Sequence, residues 1–116
     1  MDEEPKAGCT QIDLAALCQA AEHDGPQWGH ASEDLNLTLL HWTTGQMIAP
    51  HVNDEVDVLL LVIAGAGEAI VDMERHTLTP GQALLIPKGA ERALCCTGAH
   101  FSYLSVHRRR RGLWPT

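Results

Sequence analysis

Between His51 and Asp57, four side chains capable of chemistry fall at alternate positions: His51, Asn53, Glu55 and Asp57. An extended backbone over this stretch puts all four on one face, with Val52, Asp54, Val56 and Val58 on the other. His51 is a candidate general acid or base, because an unperturbed imidazole titrates near neutrality. Joined by Glu55 and Asp57, it makes a weak oxygen-rich set for a divalent transition metal such as iron, manganese, zinc or nickel. Further on, Arg92 follows the turn residues Pro87 and Gly89. An arginine offers only donors and keeps its charge, so it cannot ligate a cation and would repel one. It suits instead a carboxylate or phosphate, which its planar fork can bind through two hydrogen bonds.

The elements that must position these residues are mostly strands. Residues 1–9 read as a disordered lead-in, rich in charge and carrying a Pro and a Gly. Thr10 is a predicted helix N-cap, with Ile12, Ala15, Leu17, Cys18 and Ala21 at helical spacing and Gly25-Pro26 as the stop. From Leu35 the period changes to two, with Leu35, Leu37, Leu39 and His41 on one face. Turn signals then recur at Thr44-Gly45, Gly65-Ala66-Gly67, Asp72-Met73-Glu74, Thr79-Pro80-Gly81, Pro87-Lys88-Gly89 and Thr97-Gly98. Between them lie expected strands at 51–56, 58–63, 68–71, 76–78, 83–86, 92–96 and 101–106. Many short strands with regular turns predict a sandwich or barrel rather than an α/β fold.

Two blocks, GQMIAPHVNDEVDVLLLVIAG (Gly45 to Gly65) and GQALLIPKGAERALCC (Gly81 to Cys96), carry a family resemblance. Their spacing resembles the two motifs of the cupin family, in which the first block supplies two histidines and a glutamate to a metal and the second a third histidine. Here His51 is retained, Asn53 and Asp57 stand at the second histidine and the glutamate, and Arg92 stands at the third histidine. Pro87 and Gly89 match the family's turn residues, whereas Cys96 replaces an asparagine and Gly65 arrives one residue late. The resemblance implies an all-β, cupin-type jelly-roll β-barrel with a short N-terminal helix, a single domain over residues 10–107, and a homodimer. It also implies one site uniting His51, Asn53, Asp57 and Arg92. Arg92 would then either pair with Asp57 as a structural ion pair or clamp a small anionic or carbonyl-bearing molecule.

Three functions are therefore open. The first is a small-molecule-binding protein with a metal-free pocket, and the second a metal-dependent dioxygenase or isomerase using His51, Glu55 and Asp57. The third is a sensing or protein-interaction module whose partner binds outside the barrel. Composition narrows the partners. The chain of 116 residues carries a formal charge of −7, and the run Arg108 to Arg111 leaves only four basic residues elsewhere. So acidic a body repels phosphate backbones, which excludes nucleic acid as a partner. Residues 108–116 read as a basic C-terminal tail. No apolar run has the length of a membrane span, and MDEEPKAG lacks the pattern of an export signal, giving the expectation of a cytoplasmic protein. Cys9, Cys18, Cys95 and Cys96 show no CxxC spacing and are expected to be reduced thiols. Among the remaining histidines, His41 and His100 stand out, each in or beside a strand expected to border the barrel mouth.

Overall fold

The computed structural model describes residues 8–109 and comprises one helix and seven strands. The helix, α1 (Leu14–Ala20), starts three residues later than the sequence predicts. Its N-cap is Asp13, whose side chain accepts the Ala16 N–H at 3.0 Å. A carboxylate there satisfies an amide left without a helical partner. Thr10 instead lies within 3.3 Å of the His30 ring. Gly25 and Pro26 do not simply end the helix, for they open β1 (Gly25–Ala31). The sequence reading missed this strand, because as an edge strand with mixed burial it shows no clean alternation.

The remaining strands are β2 (Leu35–Thr43), β3 (Met47–Val52), β4 (Val58–Val71), β5 (Glu74–Leu78), β6 (Ala83–Ile86) and β7 (Glu91–Arg108). All pairings are antiparallel: β1-β2-β7-β4-β5 in order, with β3 also on β7 and β6 also on β4. Two predicted turns are absent. Gly65-Ala66-Gly67 and Thr97-Gly98 are not hairpins but lie inside the long strands β4 and β7, whose pairing shifts register at Val62/Ala64 and Gly65/Gly67. The cause is close approach. Gly65 has a φ of 80° and its Cα lies against the His100 carbonyl, while Gly67 lies against the Phe101 ring, so a Cβ at either would collide. The β4–β5 hairpin turns on Asp72 and Met73, both at positive φ as its two-residue loop requires.

Alternation sorts side chains into two apolar groups. Val58, Leu60, Val62, Ala69, Leu78, Ile86, Leu94, Phe101 and Tyr103 fill the barrel, with Leu40 and Trp42 packed against them. Outside, Leu39 and Leu104 meet Cys18 of α1, flanked by Leu14, Leu17, Leu37 and Val106. The predicted all-β jelly-roll barrel with a short helix is therefore what the chain forms. No helix among the described residues is long and apolar enough to cross a membrane. Arg108 closes β7 opposite Leu35, and the Arg109 N–H donates to the Asp34 carbonyl at 2.8 Å, so the expected tail is ladder for its first two residues. Arg110 to Thr116 and the lead-in up to Ala7 lie outside the described residues.

Candidate functional site

The expectation of one extended face over residues 51–57 fails after Val52. Asn53 turns the chain with its own side chain: Oδ1 accepts the N–H of Glu55 at 2.9 Å and that of Val56 at 3.3 Å. Such a short-range acceptor mimics a backbone turn, and the asparagine was the sequence signal for it. Residues 53–57 therefore form a loop between β3 and β4. The loop is fastened to the second block, because the Gly89 N–H donates to the Asn53 carbonyl at 2.7 Å and the Lys88 N–H to Asp57 Oδ1 at 2.8 Å. Gly89 holds a φ of 88° to make that turn.

Arg92 is brought to His51 by register, since the two face one another across β3 and β7. Arg92 Nε donates to His51 Nε2 at 2.9 Å. A guanidinium nitrogen can only donate, so His51 Nε2 carries a lone pair and the ring proton sits on Nδ1, which meets the Ala49 carbonyl at 3.2 Å. Both imidazole nitrogens are thus engaged, and a neutral tautomer is fixed.

A cavity of about 390 Å³ is lined by His51, Val52, Asn53, Asp54, Glu55 and Arg92. The structure brings His51, Asn53 and Arg92 together there. Asp57 is not among the lining residues and serves the Lys88 amide instead. Among the described residues, His51, Glu55 and Asp57 do not converge into a set of ligand atoms. Asn53 is 8% exposed, and its Nδ2 has no hydrogen-bond partner among the described residues.

Below Arg92 the barrel interior holds Tyr103, which the sequence reading did not single out. Burial pushes its phenol up to about 12, partly offset by the hydrogen bond from Trp42 Nε1 at 3.2 Å and by the Arg92 charge. The signal was available: Tyr103 stands two residues from Phe101 on the same face of an apolar strand, where a hydroxyl needs a partner. Cys96 lies further along β7, buried, with its thiol on the Gly98 carbonyl and apart from the cavity.

Comparison with known proteins adds the following. A family model described as Cupin domain matches residues 38–107. Among solved structures, a Bacillus halodurans protein is 17% identical with a TM-score of 0.77, over 92% of this chain and 86% of its own. KdgF from a Halomonas species is 22% identical with a TM-score of 0.67, over 71% and 74% of the two chains. An RmlC-like cupin with a double-stranded β-helix fold from Methanocaldococcus jannaschii is 15% identical with a TM-score of 0.70, over 79% and 85%. At these identities the likeness is one of fold. No curated protein matches the chain.

Proposed function

The chain belongs to the cupin family, its matched domain spanning the whole candidate site, and from that premise we propose that it binds a small anionic or carbonyl-bearing molecule at the barrel mouth. The observation that carries this reading is the Asn53 amide, a buried donor without a partner among the described residues, in the cavity that Arg92 also lines. An unmet buried donor costs about 1–3 kcal/mol, a cost that an incoming acceptor removes. Arg92 supplies the charge for a carboxylate or phosphate. His51 is a positioning residue here: it accepts from Arg92 Nε and so aims the guanidinium.

A metal ion has no part in this reading, on the chemistry of the donors. The only histidine of the set has its Nε2 lone pair taken by Arg92, and a fixed cation stands where a further ligand would be. The reading includes pairing of two copies, supported by β3, which is exposed along nearly its whole length and carries Met47 at 70% and Val52 at 49% exposure.

Isothermal titration with a panel of small mono- and dicarboxylates, 2-oxo acids and inorganic phosphate tests the site. At least one member binds saturably, and Arg92→Gln weakens it by about tenfold to a hundredfold, as expected for a hydrogen-bonded charge contact. Binding that survives Arg92→Gln, or a panel without a binder, overturns the reading. Elemental analysis after incubation with iron, manganese, zinc and nickel is the companion test. Near-stoichiometric metal that is lost in His51→Ala would favour the metal-dependent enzyme instead.

A further inference from the structure

The turn that Asn53 makes with its own side chain has a second effect. Because Oδ1 holds the N–H groups of Glu55 and Val56, the asparagine and Val56 are buried, and the two acids between them, Asp54 and Glu55, stand exposed at the tip. The Gly89 N–H on the Asn53 carbonyl at 2.7 Å ties that tip in place. Both acids line the cavity of about 390 Å³ that Arg92 lines from β7.

The charges around this cavity are therefore unbalanced. His51 is held neutral by the contacts at its two ring nitrogens, so the charged groups among the described residues that line it are one guanidinium and two carboxylates. A carboxylate keeps its sign whatever it is bonded to, and the lining is left with an excess of one negative charge. An anion drawn to Arg92 and to the buried Asn53 Nδ2 must sit beside two like charges, on a chain whose formal charge is −7. Phosphate and dicarboxylates, carrying two charges, are repelled most. The conflict disappears for a molecule that brings a cation of its own next to its carboxylate, because each half then meets the opposite sign.

We propose that the molecule taken at the barrel mouth is a zwitterion of the α-amino acid class, its carboxylate on Arg92 and the Asn53 amide and its ammonium on Asp54 and Glu55. This rests on the reading of the mouth as a ligand site and narrows what that site selects.

Propionate, lactate and free L-alanine share a carbon skeleton and a carboxylate and differ in what the neighbouring carbon carries: hydrogen, hydroxyl or ammonium. Each is titrated calorimetrically into the full chain near neutral pH. The amino acid binds about tenfold tighter than propionate. The double variant Asp54→Asn/Glu55→Gln keeps side-chain size at two exposed positions and leaves the backbone amide that Asn53 holds. In it the preference vanishes, because propionate gains affinity and the amino acid loses it. Propionate binding as tightly as the amino acid, or a preference that survives the double substitution, overturns the zwitterion while leaving an Arg92-dependent anion site intact. Lactate binding as tightly as the amino acid overturns the ammonium contact. If none of the three binds, or Arg92→Gln changes none of them, the anion site itself falls and the zwitterion with it.

Discussion

At the scale of single residues, Asn53 does two separable jobs. Its Oδ1 holds the loop by accepting two backbone amides, and its Nδ2, unpartnered among the described residues, is the donor that the proposed function assigns to a ligand. Asn53→Ala removes both, and the loss of the turn is expected to destabilise the protein by about 1–3 kcal/mol in urea denaturation. Asn53→Asp keeps the acceptor and loses the donor, so its stability stays nearer the parent while affinity for the carboxylate ligand falls. Equal loss of stability in the two variants would mean that the amide nitrogen is structural. Chemistry by residue type was legible at this scale, because Arg92 can only donate and so dictates the His51 tautomer. The partner was not. The sequence allowed an Arg92 to Asp57 pair, but the contact observed is set by strand register, which places His51 opposite Arg92, while the loop hands Asp57 to an amide.

At the scale of elements, the strand period identified most of the ladder, and the failures are instructive. A glycine pair reads as a turn in sequence, yet Gly65 and Gly67 lie inside an unbroken strand, a distinction that depends on what lies opposite. The Phe101 ring and the His100 carbonyl supply that answer only once β7 is in place. Gly67→Ala is expected to displace the Phe101 ring and cost roughly 1–3 kcal/mol by thermal or chemical unfolding. Gly65→Ala adds a disfavoured φ to a backbone collision and is the more damaging of the two. A neutral Gly65→Ala would contradict the close approach of β4 and β7 at the His100 carbonyl. The helix start shifted for a similar reason: Thr10 and Asp13 are both competent caps, and packing of Leu14, Leu17 and Cys18 on the sheet selects the later one.

For the molecule as a whole, stability is confined to a window of pH by two buried groups. Burial, and secondarily the His100 charge, lower the pKa of His41 from 6.5, with His23 acting in the same sense and Asp24 against it. The unfolded chain therefore takes up this proton first, so stability is complete above the ordinary histidine range and declines as pH falls through it. Tyr103 acts at the other end. Its phenol is raised from 10.0 to about 12, so the unfolded chain ionises first and stability drains away as pH climbs through that interval. The Tyr103 share is roughly 3 kcal/mol. Unfolding midpoints measured across pH test both limbs, and Tyr103→Phe should flatten the alkaline one. The strand β7, finally, bonds to β2, β3 and β4 together, which makes the barrel a late event in the life of the chain. A polypeptide emerging from the ribosome has nothing on which to close its sheets until residues 91–108 are free, and contacts so distant in sequence favour slow folding. Chains arrested before Glu91 should therefore remain sensitive to protease, and protection should appear only when the whole of this strand has left the exit tunnel.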